Sequence, residues 1–203
     1  GHDNHSENLL NEVVRGIAEY GNCIGIANIG GDCYREEIYS KNPLTNIGCI
    51  GILKKDNIIY GNVKGENNLL IYVGSKTGND GINGAAMASN EFTSDTNIED
   101  LKSNIQKGDA FLEKLLVEAC LEIVEAKLTE GMQDMGAGGL LCSSLEMVQR
   151  GRTKFNQNFG CFINVDTIPE KYDMNPCDRL ISESQERMLL SVKPENKEKV
   201  FAI

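Results

Sequence analysis

The chain has no run of basic residues longer than Lys54–Lys55, and its formal net charge is −10. Nucleic-acid binders show a basic patch or stripe, so no nucleic-acid partner is expected. The acidic balance leaves phosphorylated small molecules open, because a few backbone N–H groups hold a phosphate without a cationic patch. No apolar run approaches the roughly 18–20 residues needed to span a bilayer, so no membrane partner is expected either. No signal-peptide pattern opens the chain and no Met begins it; "GHDNH" reads as a tag remnant or the edge of a fragment. No internal repeat is visible. The seven cysteines, Cys23, Cys33, Cys49, Cys120, Cys142, Cys161 and Cys177, make no CxxC pair and no Cys/His cluster, which argues against a structural zinc site. Their odd count and wide spacing argue against a disulfide framework. They are expected to be small, mostly buried thiols in a reducing cytoplasm.

With 203 residues and 40% hydrophobic content, the chain can build a real core in one large domain or slightly more. Ser6 can cap a helix starting near Glu7, with Leu9, Leu10, Val13, Val14, Ile17 and Ala18 on one face and Gly21 as its stop. "CIGIANIGGDCY" reads as a loop, and residues 42–53, "NPLTNIGCIGIL", as a buried strand. The polar stretch 54–68 is the best domain boundary. "LLIYVG" at 69–74 has the apolar run of a central strand; a glycine-rich loop, "GSKTGNDGINGA", follows it. Residues 93–108 read as a long loop, after which Asp109 caps a helix whose stripe runs from Phe111 to Val124. Ser143-Ser144-Leu145-Glu146 matches a capping box opening a short helix. Phe159, Cys161, Ile163 and Val165 alternate like a half-buried strand, "RMLLSV" at 187–192 is another, and Pro194 suits a first helical turn.

Two segments offer chemistry. In "GMQDMGAGG", residues 131–139, a single acid, Asp134, precedes Gly136, Gly138 and Gly139. Glycines let backbone N–H groups approach an anion, and a carboxylate beside them suits a Mg2+ that bridges to phosphate. The same pattern fits a tight turn between two helices with Asp134 capping the second. In "SESQERM", residues 182–188, donors and acceptors at Ser184 and Gln185 lie beside the acids Glu183 and Glu186; the plainer reading is a solvent-exposed strand entry. The loop with Gly74, Gly78, Gly81, Gly84 and Lys76 lacks Walker spacing and fits a phosphate cradle or a packing loop equally. Gln106 precedes the long helix and can point into a cleft or simply lie on the surface. His2 and His5 have metal-like spacing but read as a frayed end. The acids Glu113, Glu118, Glu122 and Glu125 read as a solvated helix face.

Taken in order, "EVVRGIAEYGNCIGIANIGGDCY", "NPLTNIGCIGIL", "IYVGSKTGNDGINGA", "IQKGDAFLEKLLVEACLEIVE", "GMQDMGAGGL" and "LISESQERMLLSVKP" resemble the phosphoribosylformylglycinamidine synthases, in their glutaminase-free synthase subunit. The resemblance runs from about Glu12 to the C-terminus. It implies an α/β (α+β) fold like that of aminoimidazole ribonucleotide synthetase. Residues 1–62 would be the tail of an N-terminal domain, and 63–203 most of a C-terminal α/β domain.

The activity implied is an ATP-dependent ligation in purine biosynthesis. Formylglycinamide ribonucleotide, ammonia and ATP would give the amidine by phosphorylation of the amide oxygen and attack of ammonia. A separate glutaminase subunit and a small bridging subunit are the implied partners. By the same resemblance Asp134 matches a Mg2+ ligand, Gln106 a substrate-binding Gln, and Glu183, Ser184 and Gln185 a substrate-binding stretch. No catalytic residue is expected in this chain. The family's His lies in an upstream His-Asn-His-Pro segment, and "HDNHSEN" lacks the glycine-rich loop that follows it there. Residues 152–158 look like a local surface insertion. The alternatives are a non-catalytic nucleotide-phosphate binding or interaction module of the same fold, and a fold relative such as an aminoimidazole ribonucleotide synthetase or a selenophosphate synthetase. "SESQERM" and "YGNCIG" argue against the last.

Overall fold

The computed structural model describes residues 3–40, 43–82 and 105–203. Two compact units are present, Gly1–Lys54 and Lys55–Ile203.

The first unit contains helix α1, Asn4–Ile24. Its cap is Asp3, whose carboxylate accepts the Ser6 N–H at 2.7 Å, so Ser6 sits in the first turn instead of capping it. The helix runs through Gly21 and stops at Gly25, which adopts φ 80° and can therefore close the last turn. Residues 43–53 do not form the expected buried strand: Ile50 is 90% and Ile52 102% exposed. A strand is held by pairing its N–H and C=O groups, and among the described residues none pairs with this segment. Asn42 lies outside the described residues.

The second unit is built on a three-stranded sheet with β1 at Leu69–Gly74, β2 at Gly131–Asp134 and β3 at Arg187–Val192, in the order β1-β3-β2. Both outer strands run antiparallel to β3, with Leu69 opposite Val192 and Gly131 opposite Ser191. The apolar run of β1 thus lies beside the central strand, and β3 takes the centre. Alternation in β3 sends Leu189 to one face, with Val63, Leu140, Met147 and Val148, and Leu190 and Val192 to the other, with Ile71, Ile123 and Val200. Each such side chain contributes roughly 1.5–3 kcal/mol on burial.

Helices cover both faces. Helix α2, Ala110–Glu125, is capped by Asp109, which accepts the N–H groups of Phe111 and Leu112. Helix α3 spans Gly139–Phe155, which corrects the short helix expected from Ser143. Ser143 and Ser144 are buried inside α3 and return their hydroxyls to the carbonyls of Gly139 and Leu141, both at 3.0 Å. Most of the supposed surface insertion is the last turn of this helix. Phe159, Ile163 and Val165 pack on the core without joining the sheet: their alternation reports burial, not a ladder. Helix α4, Pro176–Ile181, leads into the 182–186 segment. Pro194 opens a 3-10 turn before helix α5, Lys197–Phe201. The cysteines are free, and all but Cys120 are exposed. They sit in loops and on outer helix faces, where the expectation of burial fails.

Candidate functional site

The end of β1 fixes the site's geometry. Gly74 has φ 120°, and a Cβ there would lie 2.1 Å from the Glu186 carbonyl oxygen, so only glycine lets the two backbones meet. The chain then enters the 75–82 loop. Four of its N–H groups go to protein acceptors: Ser75 to the Glu186 carbonyl at 2.9 Å and Thr77 to that of Pro169 at 2.8 Å. Gly78 donates to the Ser184 hydroxyl at 2.9 Å, and Asn79 to the Tyr172 hydroxyl at 2.7 Å. These four groups are not turned toward a phosphate, so this part of the loop packs rather than cradles. Gly84 lies outside the described residues, as do residues 93–104 of the expected long loop, and His2.

The 182–186 segment is not an exposed strand entry. Ser182 and Ser184 are 0% and 1% exposed. The Ser184 hydroxyl, besides accepting from Gly78, bonds the Asp80 carboxylate, which in turn pairs with Lys171 at 3.3 Å. Between the two serines Glu183 points the other way. Its Oε1 accepts the Gly138 N–H at 2.9 Å, and its Oε2 accepts the Gln106 amide at 2.7 Å. Gln185 folds back to donate to the Glu183 carbonyl at 2.8 Å.

Two residues nominated from distant parts of the sequence, Gln106 and Glu183, therefore touch directly. The carboxylate of Glu183 also occupies the anion-favouring start of α3, where the helix dipole is positive. Gly138 and Gly139 there have φ 70° and 58°. A Cβ on Gly139 would lie 2.2 Å from the Ser182 carbonyl oxygen, so this glycine pair brings α3 hard against the 180–182 backbone.

Asp134 closes β2 opposite Met188. It is exposed and leans over Gly136, where a Cβ would meet its Oδ2 at 2.8 Å. It neither caps a helix nor turns between two of them. Among the described residues no group of three His, Cys, Asp or Glu side chains gathers as a metal cage.

The sequence reading noted Glu186 only as an acid beside Ser184 and Gln185, and it passed over Arg187. Glu186 is 7% exposed with φ 57°, and its Oε1 accepts the N–H of the α2 cap Asp109 at 2.9 Å. It also faces Glu113; burial first, and then this like charge, pushes the Glu113 carboxyl upward. Arg187 is 3% exposed at the head of the central strand, and burial lowers its guanidinium from the ordinary value. A charged residue opening an apolar strand was the available signal for Arg187. For Glu186 the residue type marked a charge, and the structure supplies its burial and its tie to Asp109.

Residues 65–203 match the AIR synthase related protein, C-terminal domain, and residues 1–53 match the N-terminal domain. The chain belongs to the AIR synthase related family. It is similar to phosphoribosylformylglycinamidine synthase subunit PurL of Caldanaerobacter subterraneus subsp. tengcongensis, at 47% identity over 99% of this chain and 26% of that protein. The subunit of the same name from Nitratiruptor sp. is 46% identical over 98% of this chain and 26% of its own length. Among solved structures, T. maritima PurL complexed with FGAR superposes with a TM-score of 0.81 at 36% identity, covering 95% of this chain and 31% of that one. T. maritima PurL complexed with ATP gives 0.73 at 33% identity, over 94% and 28%. The chain spans about a quarter of the length of the curated relatives it matches.

Proposed function

We propose that this chain is part of an ATP-dependent ligase that converts formylglycinamide ribonucleotide and ammonia to the amidine, with release of ADP and phosphate, in purine biosynthesis. The observation that carries this reading is the direct Gln106–Glu183 contact at 2.7 Å in a chain 47% identical to a PurL subunit across nearly its whole length. A ligand carrying amide and hydroxyl groups would be read by Gln106, Glu183 and Gln185, whose side chains combine donors and acceptors. Ser184 belongs to the same stretch but serves from beneath, its buried hydroxyl fixing the loop at Gly78.

Asp134 fits a Mg2+ site of the sparse kind. Mg2+ commonly takes one or two carboxylates and completes its shell with water and substrate phosphate, and Asp134 offers one exposed carboxylate. When bound, the ion offsets phosphate charge. Asp134 would hold it beside the glycine turn, while Glu183 keeps that turn in shape. Residues 1–62 then supply the tail of an N-terminal synthetase-like domain and 63–203 most of the C-terminal one. The group acting on the reacting atoms lies outside these residues. The expected setting is the cytoplasm, with a glutaminase subunit and a small bridging subunit as partners. Among the described residues no helix is long and apolar enough to cross a membrane.

The test is an assay of the full-length gene product with ammonium as nitrogen donor. ADP release that requires formylglycinamide ribonucleotide is expected, with a loss on the order of 100-fold in Asp134→Ala. No such release, or an Asp134→Ala variant as active as the parent, overturns the reading.

A further inference from the structure

Arg187 is a cation almost wholly removed from water, an expensive arrangement unless its donors are all engaged. An apolar residue would pack more cheaply at the head of a central strand. Its donors go to carbonyls and a hydroxyl. Nε donates to the Ser184 carbonyl at 2.5 Å, one terminal nitrogen to the carbonyls of Ser182 and, at 3.5 Å, Met135, and the other to the Thr77 hydroxyl at 3.2 Å. The Arg187 carbonyl accepts the Met135 N–H at 3.1 Å, and the Tyr72 ring lies 5.9 Å from the guanidinium carbon. The three segments gathered in this way are the one bearing Glu183, the one following Asp134, and the glycine loop. Backbone bonds already tie the first to the third, from the Ser75 N–H to the Glu186 carbonyl at 2.9 Å and from the Glu183 N–H to the Asp80 carbonyl at 2.8 Å; the guanidinium adds bonds that reach all three. A planar fork of fixed geometry can hold several carbonyls at set angles, which the single ammonium of lysine cannot.

We propose that Arg187 is a positioning residue, whose guanidinium holds the 182–185 segment, the end of β2 and the 75–82 loop in the one arrangement that presents Glu183 and Gln185 to substrate. The substrate half of this statement rests on the ligase reading; the positioning half does not.

Two measurements separate the halves. In this chain, Arg187→Lys is expected to speed amide exchange at Gly78 and Met135 by at least about tenfold, while Ile123 and Leu190 exchange as in the parent. Unchanged exchange, or an equal rise at all four, overturns the positioning role. In the full-length gene product with ammonium, Arg187→Lys is expected to raise KM for formylglycinamide ribonucleotide about tenfold and leave KM for ATP within about twofold. Arg187→Ala should recover its KM on addition of guanidinium. A fall in kcat at unchanged KM, as a loss of folded enzyme would give, overturns it. A parent enzyme with no such turnover sinks the ligase reading instead, and the exchange result still decides the role of Arg187.

Discussion

Gly139→Ala tests the packing on which the site depends. The added Cβ would meet the Ser182 carbonyl oxygen at 2.2 Å, that of Leu180 at 2.9 Å and the Ile181 carbonyl carbon at 3.0 Å. All three are backbone atoms, so no side-chain rotation relieves the contact. The residue must also keep φ near 58°, which costs a non-glycine residue roughly 1–2 kcal/mol. Overpacking a tight site adds about 1–3 kcal/mol, giving roughly 2–5 kcal/mol in all. With urea slopes of about 1–3 kcal/mol/M, the midpoint of the chain's unfolding should fall on the order of 1.5 M. Gly160→Ala is the matched control, since a Cβ there has no heavy atom within 4 Å; it should stay within about 0.5 kcal/mol of the parent. If Gly139→Ala were as stable as Gly160→Ala, the close approach of α3 to residues 180–182 would be wrong.

Further predictions concern single groups. Glu183→Ala leaves the Gly138 N–H and the Gln106 amide without their acceptor and should cost about 1 kcal/mol in urea unfolding; no change would argue that the carboxylate is not engaged. Burial and Glu113 push the Cys120 thiol up to about 11, so with a thiol reagent at about pH 8 Cys120 should label after the exposed Cys23, Cys33, Cys49, Cys142 and Cys177. Labelling of Cys120 among the first would contradict its burial. The Glu113 carboxyl is raised in the folded state by burial and by Glu186, so its ionisation opposes folding, and that penalty grows as pH climbs from the ordinary glutamate value through the raised one. Glu113→Gln should therefore be more stable than the parent at about pH 7 and lose that advantage at about pH 4; a variant less stable at neutral pH would refute the sign.

Elements with a strong local signal were legible in the sequence. Asp109 before a periodic stripe and the run 187–192 each sit where the pattern put them. The failures have a common cause. Strand β2 is only "GMQD", with no alternation to notice, and its pairing with β3 defines it. The start of α3 depends on two glycines at positive φ, a backbone property, while the Ser-x-x-Glu pattern at 143–146 imitated a cap inside the helix. Ser182 and Ser184 read as solvent-facing because they are polar, yet they are buried with partners roughly 100 positions away, at Gly78 and Asp80. At the site, the ordered motifs nominated Gln106 and Glu183 separately. Only the fold brings them to 2.7 Å, and only the fold reveals the Arg187 carbonyl contacts beneath them.

Joint action of Gln106 and Glu183 on one substrate would show in a double-mutant cycle on KM for formylglycinamide ribonucleotide in the full-length gene product, with ammonium as donor. Gln106→Ala and Glu183→Ala should each raise KM by about tenfold, and the double variant should fall well short of the roughly hundredfold product of independent effects. Parent-like KM values in all three variants, or a double variant at the full product, would contradict it.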